Sequence, residues 1–199
     1  MDVIDQVPAG EHVPTADHRV VMHGVTWAHY LAIAALRGEK AVPKIAYLDG
    51  AMELMSPSRT HESIKSYIGT LIEAFALARG IRFTPYGSWT LQHPEMAGAE
   101  PDECYLFGDQ RRDVPDLAIE VVWTSGGINK LEIYRHLGVA EVWFWTKPNQ
   151  ILVYRLVDGA YQPVEVSAFL PGLDIALVCS LLDQPTAFDA VQALRATLI

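Results

Sequence analysis

A single carboxylate interrupts the most apolar segment of the chain. Glu120 lies within residues 117–123, and every other residue of that segment is apolar. Such a run predicts a strand that is buried on both faces. A lone carboxylate in that position is costly unless another group pairs with it or binds it. Glu120 is therefore the first candidate for a functional residue.

Asp102 is the second candidate, because it lies on another short predicted strand, residues 102–107. If residues 102–107 and 117–123 form an antiparallel pair around the intervening loop, the midpoint of 102 and 120 falls at residue 111, inside that loop. The two carboxylates would then face each other, with Cβ atoms roughly 4.5 to 5.5 Å apart. Carboxylates that close repel unless a proton or a divalent cation lies between them. The spacing predicts a metal site formed by Asp102 and Glu120.

Lys130 follows on a predicted helix and would complete a set of groups suited to phosphodiester hydrolysis. Two carboxylates can hold a hard cation such as Mg²⁺ or Mn²⁺, which polarises a phosphate and lowers the pKa of a bound water. An ammonium group beside the metal can stabilise the charge that builds on the phosphate and orient the attacking water. This chemistry requires that the three side chains converge.

Each candidate also has a purely structural interpretation. Asp102 could be a turn residue, and Glu120 could form a buried ion pair with Lys130 or Arg135 that has no catalytic role. A helix lysine usually lies on a solvated face. His61, near the start of a long predicted helix, could cap that helix or lie on the surface as readily as line a site.

The composition and charge of the chain constrain its domain number, its binding to nucleic acid and its compartment. The chain has 199 residues, half of them hydrophobic, which fits one domain with a sizeable core. Its net charge of −9 disfavours tight, non-specific binding to nucleic acid, so such contact would need a local patch, bound cations or a partner. Cys104 and Cys179 are the only cysteines, and we see neither a disulfide framework nor a signal peptide. We expect a cytoplasmic protein.

The pattern of elements predicts a mixed α/β domain built on one central sheet. Residues 1–22 are expected to form an extended arm, and residues 23–199 a single domain that includes a C-terminal helix. Two hairpins are predicted around the dipeptides Asp49-Gly50 and Asp158-Gly159. A long amphipathic helix should end at Gly80. A polar loop is expected between Leu91 and Glu100, and a helix over residues 128–137.

Four motifs follow one another along the chain: Pro101-Asp102, residues 115–121, Lys130 with Tyr134, and residues 138–143. In their order and spacing they resemble the Uma-two family, whose members belong to the PD-(D/E)xK nuclease superfamily. The resemblance runs from about Ile45 to Leu177 and implies a restriction-endonuclease-like core, a central mixed sheet flanked by helices with added hairpins. It implies Asp102 and Glu120 as metal ligands, Lys130 as the assisting cation and His61 as a residue that lines the site.

The chain departs from the wider pattern at two places. The superfamily usually has lysine two residues after the glutamate, where this chain has Val122, but the family resemblance moves the lysine to the next helix and matches Lys130. The family tends to have an acidic residue one turn before that lysine, where this chain has Ser125-Gly126-Gly127-Ile128.

We therefore predict a Mg²⁺- or Mn²⁺-dependent endonuclease that acts on nucleic acid, with DNA the expected substrate, bound through a local patch. A homodimer is expected because many nucleases of the superfamily pair to cut both strands. The alternative is a catalytically weak nuclease-fold protein that serves as a binding or regulatory module. The acidic charge and the departure before Lys130 favour the alternative, and the intact set of Asp102, Glu120 and Lys130 favours the enzyme.

Overall fold

The computed structural model describes residues 16–123 and 127–198. Within those residues the strands form two sheets. The first sheet contains, in spatial order, β1 (His18–His23), β3 (Ala51–Ser56), β2 (Lys44–Leu48), β6 (Ala97–Ala99) and β5 (Leu91–His93). The second contains β11 (Ala160–Val164), β10 (Gln150–Val157), β9 (Glu141–Thr146), β8 (Leu117–Val122), β7 (Glu103–Phe107) and β4 (Phe83–Pro85).

The helices pack on these sheets or on one another, and two of them carry candidate residues. They are α1 (Trp27–Arg37), α2 (Arg59–Arg79), α3 (Lys130–Leu137), α4 (Ile175–Leu181) and α5 (Ala187–Ala196). The second sheet is mixed, because β8 and β9 run parallel while its other neighbours are antiparallel. The chain passes between these parallel strands through α3. The predicted mixed α/β class is confirmed, although the strands divide between two sheets where the sequence predicted a single central one.

The register between β7 and β8 agrees with the spacing argument made from the sequence. Glu103 is opposite Ile119, and Cys104 is opposite Ala118. One further step along this register places Asp102 opposite Glu120, as the midpoint at residue 111 predicts. The N–H of Asp102 donates to the carbonyl of Ile119 at 3.0 Å, so the backbone pairing continues just beyond the end of β7.

Helix α2 supplies one wall of the main core. Its buried face, formed by Ile68, Leu71, Ile72 and Phe75, belongs to the same apolar cluster as residues of β7, β8 and β9. Periodic burial of this kind stabilises a helix far more than propensity does. The side chain of Ser58 caps the helix by accepting the N–H of His61, which fixes His61 in the first turn.

Two segments differ from the sequence-based expectation. Residues 18–22, predicted to belong to an extended arm, lie in β1, which pairs antiparallel with β3; residues 1–15 lie outside the described part of the chain. The polar loop predicted between Leu91 and Glu100 is wrong, because β5 and β6 form a hairpin there. Ala97–Ala99 has no large side chain to signal a strand. A Cβ at Gly98 would lie 2.5 Å from the Tyr30 hydroxyl, so this close approach requires glycine at position 98.

Among the described residues, none of the helices combines the length and the apolar character that a membrane span requires.

Candidate functional site

Glu120, Lys130 and Tyr134 form the first half of the candidate site. Glu120 lies in the central strand β8 with 4 % of its surface exposed. The Lys130 ammonium lies 3.1 Å from Glu120 Oε1, and the Tyr134 hydroxyl donates to the same oxygen. Asn129 caps α3 by accepting the N–H of Glu132, so Lys130 begins the helix and Tyr134 follows one turn later on the same face.

Burial and neighbouring charge determine the protonation of this group. Burial raises the pKa of Glu120, and Lys130 opposes that rise. Burial alone would lower the pKa of Lys130, but the carboxylates of Glu120 and Glu53 raise it above its ordinary value. Lys130 therefore remains a cation at neutral pH. Burial and the charge of Glu120 raise the pKa of Tyr134 well above the usual range, so its hydroxyl keeps the proton that it donates.

Asp102, which is wholly buried, belongs to the second half of the candidate site. The Lys44 ammonium, which reaches across from the other sheet, lies 2.5 Å from Asp102 Oδ1. Asp102 Oδ2 accepts the backbone N–H of Val121 at 2.7 Å, and it lies 2.9 Å from Nε2 of His61. Both carboxylate oxygens are thus engaged by groups of the protein itself.

His61 connects Asp102 to a further acid, Asp17. The Nδ1 atom of His61 lies 2.9 Å from Asp17 Oδ2, and Asp17 Oδ1 accepts the N–H of Ser58 at 2.8 Å. Burial would lower the pKa of His61, but the carboxylates of Asp102 and Asp17 raise it to about 9. Burial likewise opposes ionisation of Asp102, but Lys44 and His61 hold its pKa below the ordinary value. We call the series Asp17, His61, Asp102 and Lys44 the ionic chain.

A pocket of about 400 Å³ opens beside Glu120 and Lys130. Its charged and polar wall includes Arg19, Glu53 and Asn129, and its apolar wall includes Phe144 and Tyr154. Asp102 and His61 are not among the residues that line it. The two halves of the candidate site are adjacent along the backbone, because the amide of Val121, next to Glu120, is bonded to Asp102.

Glu53 is a site residue that reasoning from the sequence missed. It is 2 % exposed, lines the same pocket, and lies 3.3 Å from the Arg19 Nε atom through its Oε2 oxygen. The same oxygen accepts the N–H of Ile128 at 3.2 Å, two residues before Lys130. The signal was present, since Glu53 is a single carboxylate in the apolar run of β3, as Glu120 is in β8.

Lys44 and Asp17 were also missed, for a different reason. Lys44 stands at the start of β2 and Asp17 just before β1, and neither position differs in the sequence from an exposed strand end. Only the approach of the two sheets makes them partners of Asp102 and His61. Ser125 and Gly126, part of the departure noted before Lys130, lie outside the described residues.

The donor set fits a divalent cation only in part. Glu120 presents a buried carboxylate at the pocket wall, which suits a hard cation. Asp102, as it is placed, does not fit, because Lys44, His61 and the Val121 amide occupy its two oxygens. Among residues 16–123 and 127–198, no group of three or more His, Cys, Asp or Glu side chains is arranged to hold a metal ion.

Comparison with known proteins gives one result that bears on this geometry. No curated protein matches the chain. A family model described as "Putative restriction endonuclease" (Uma2) matches residues 27–185, a range that contains Glu53, His61, Asp102, Glu120 and Lys130. Restriction-endonuclease-like proteins usually depend on a metal ion. Because the match spans most of its length, the chain belongs to the Uma2 family of restriction-endonuclease-like proteins.

Proposed function

We propose that this protein is a Mg²⁺- or Mn²⁺-dependent endonuclease that hydrolyses phosphodiester bonds of nucleic acid, with DNA as the expected substrate. The observation that carries the proposal is the buried Glu120 carboxylate paired with the partly buried Lys130 ammonium at the wall of an open pocket. A buried carboxylate with a shifted pKa and a specific cation partner inside a pocket is typical of a functional site. Membership of a nuclease-like family supports the same conclusion.

The residues of the chain have distinct roles in this proposal. Lys130 offers a fixed positive charge at the pocket, where it can stabilise the negative charge that develops on a phosphate under attack. Tyr134 and Lys130 hold one oxygen of Glu120 and so fix the direction of its carboxylate. Phe144 and Tyr154 give one side of the pocket an apolar wall, and charge interactions are stronger beside apolar surface than in water.

Asp102 and Glu120 remain the proposed ligands of the metal, and His61, 2.9 Å from Asp102, orients its carboxylate. A bound Mg²⁺ or Mn²⁺ would supply the activation of water and the polarisation of the phosphate. Participation of Asp102 requires that Lys44 or His61 gives up one carboxylate oxygen. A local patch rather than the overall charge of −9 must attract the nucleic acid, and a homodimer remains part of the proposal.

A second candidate function is a nuclease-fold module that binds or regulates without cleaving. The observation in its favour is the ionic chain, in which Lys44 and His61 already compensate the charge of Asp102. A carboxylate compensated in this way does not require a metal ion. The two candidates differ in whether a divalent cation binds and whether a phosphodiester bond is broken.

The test is cleavage of supercoiled plasmid, single-stranded DNA and RNA with Mg²⁺, with Mn²⁺ and with EDTA. Wild-type protein is compared with Glu120→Gln, which keeps the shape of the side chain and removes the charge. We expect cleavage that needs the metal and falls by at least about a hundredfold in Glu120→Gln, as when a group that acts on the transition state is lost.

Glu132→Gln is the matched control, because Glu132 lies on the same helix in a half-exposed pair with Arg135, and it is not among the residues that line the pocket. This control should cleave like the wild type, and circular dichroism should show the same fold for all three proteins. Glu120→Gln protein that cleaves at the wild-type rate contradicts the assignment of the site. Wild-type protein that binds nucleic acid but never cleaves it supports the binding module.

A further inference from the structure

The N-terminal strand β1 reaches the candidate site although it precedes the segment that matches the family. That match begins at residue 27, whereas β1 spans His18–His23. Asp17 and Arg19 stand two positions apart, so their side chains leave an extended backbone on the same side. Both are directed to residues of the site: Asp17 to His61, and Arg19 to Glu53.

The contact made by Arg19 follows from the pairing of β1 with β3. Val21 is opposite Glu53 and Arg19 is opposite Met55, so Arg19 and Glu53 are diagonal neighbours on the sheet. Long side chains can span that diagonal. The Arg19 Nε atom lies 3.3 Å from Glu53 Oε2, and only 16 % of the Arg19 side chain is exposed.

Glu53 also contacts the backbone segment that leads to Lys130. Its Oε2 oxygen accepts the N–H of Ile128 at 3.2 Å. A Cβ at position 127 would lie 2.3 Å from the same oxygen and 3.2 Å from the Arg19 guanidinium, so the backbone at Gly127 packs directly against the pair. Arg19 and Glu53 therefore fix the backbone that precedes α3 and, through it, the position of the Lys130 ammonium.

Asp17 acts on the other half of the site. It holds one nitrogen of the His61 ring, whose other nitrogen lies 2.9 Å from Asp102. The side chains of Asp17 and His61 are both fully buried. The His61 ring thus lies between the carboxylates of Asp17 and Asp102, and its contact with Asp17 fixes its orientation toward Asp102.

We propose that the N-terminal strand is part of the site, with Asp17 and Arg19 as positioning residues: Asp17 places Asp102 through His61, and Arg19 places Lys130 through Glu53 and the Gly127–Ile128 backbone. One path starts from Arg19 in β1 and the other from Asp17, the residue just before β1, and they reach different candidate residues. The kinetic consequence rests on the proposed nuclease function. The structural consequence, that Arg19 orders the start of α3, does not.

The experiment compares Arg19→Gln with Arg19→Lys and uses Val20→Thr as the control. Val20 is the next residue of the same strand, is 57 % exposed, and keeps its β-branched shape in the variant. Hydrogen exchange at the Ile128 amide is measured in each protein by mass spectrometry or NMR. Exchange should accelerate by about tenfold in Arg19→Gln, stay near wild type in Arg19→Lys, and remain unchanged in Val20→Thr.

Cleavage kinetics form the second readout, on the same substrate for all variants. Arg19→Gln and Asp17→Asn should each lower kcat by about tenfold with little change in KM, because both act on placement of the site and not on substrate affinity. Their effects should multiply in the double variant, since the two paths share no residue. Arg19→Lys should restore most of the rate.

Arg19→Gln protein whose Ile128 amide exchanges like that of Val20→Thr overturns the inference, whatever the cleavage assay gives. If the wild type does not cleave any nucleic acid, the proposed function fails, and the exchange result alone decides whether Arg19 orders the start of α3. If the wild type cleaves and both Arg19→Gln and Asp17→Asn match its kcat, β1 is a structural strand only.

Discussion

Lys44 and Asp102 form a buried ion pair with 2.5 Å between Nζ and Oδ1, although 58 positions separate them in the chain. Lys44 belongs to the five-stranded sheet, and Asp102 lies at the end of a strand of the six-stranded sheet. The candidate site is therefore located where the two sheets meet. The charge that a metal ion would be expected to balance at Asp102 is balanced in this structure by a lysine and a histidine.

Replacing Lys44 with glutamine tests whether a metal ion can take the place of the lysine in balancing the charge of Asp102. The variant frees Asp102 Oδ1, so calorimetry should show Mn²⁺ binding at least about tenfold tighter than in the wild type, a gain of about 1.4 kcal/mol. Without metal, the variant should lose about 3 kcal/mol of unfolding free energy in urea, because the buried carboxylate has lost a partner.

Two further variants control this measurement. Asp102→Asn should abolish Mn²⁺ binding, and Lys40→Gln, at an exposed position, should leave both binding and stability unchanged. Mn²⁺ should also raise the thermal midpoint of the wild type by mass action, and this rise should vanish in Asp102→Asn. Failure of Lys44→Gln to bind Mn²⁺ at all would leave Asp102 as a purely structural ion-pair residue.

Stability should fall as the pH rises from neutral to alkaline, because of His61. Its pKa is about 9 in the folded protein against an ordinary value of 6.5. A group whose pKa is raised on folding contributes stability that is fully present below the unfolded value and is lost as the pH rises through the folded one. The contribution should therefore disappear between about pH 6.5 and pH 9, and is on the order of 3 kcal/mol.

Urea unfolding across that pH window measures the effect. His61→Gln should show a much flatter dependence on pH, whereas His93→Gln, at an exposed position, should keep the slope of the wild type. Equal slopes in the wild type and His61→Gln would mean that His61 is not held as an imidazolium between Asp17 and Asp102.

Removing the hydroxyl of Tyr134 should impair the site more than it impairs the fold. Tyr134→Phe deletes the hydroxyl that donates to Glu120. This bond is charge-assisted, so the free energy of unfolding should fall by about 2 kcal/mol. If Glu120 acts in cleavage, kcat should fall by about tenfold or more. The control is Tyr161→Phe, which deletes a 2.6 Å bond to the carbonyl of Val139 and should lower stability without lowering kcat. Equal kinetic losses in the two variants would contradict a role for Tyr134 in orienting Glu120.

Gly127→Ala should destabilise the protein through a specific clash. The added Cβ would lie 2.3 Å from Glu53 Oε2, so the end of this side chain must move and lose its bond from the Ile128 N–H, at a cost of about 1.5 to 3 kcal/mol. Shortening Glu53 to alanine should remove the clash, so a double-mutant cycle on thermal unfolding should give a coupling energy of about 1 kcal/mol or more. Strictly additive losses would show that Gly127 and Glu53 do not meet in solution.

The sequence by itself determined the elements that are specified locally. An apolar run around one carboxylate predicted β8 and Glu120, the loop midpoint predicted the register with β7, and residues 128–137 predicted α3 with Lys130 near its start. These inferences depend on the alternation of side chains, on loop length and on helix caps, which are set by neighbouring residues. The family resemblance, now supported by the match over residues 27–185, rests on the same local motifs.

Only the tertiary structure decided which charges compensate which. Lys44, Asp17 and Glu53 come from the five-stranded sheet or its margin. Their interactions with Asp102 beside β7, His61 on α2 and Lys130 on α3 depend on how the two sheets and α2 pack. The short β6 had no sequence signal, because it consists of Ala and Gly, and the close approach of Tyr30 to Gly98 is visible only in the fold. Ion pairs between residues so far apart in the chain depend on how the whole core packs. The order of residue types along the chain does not by itself specify that packing.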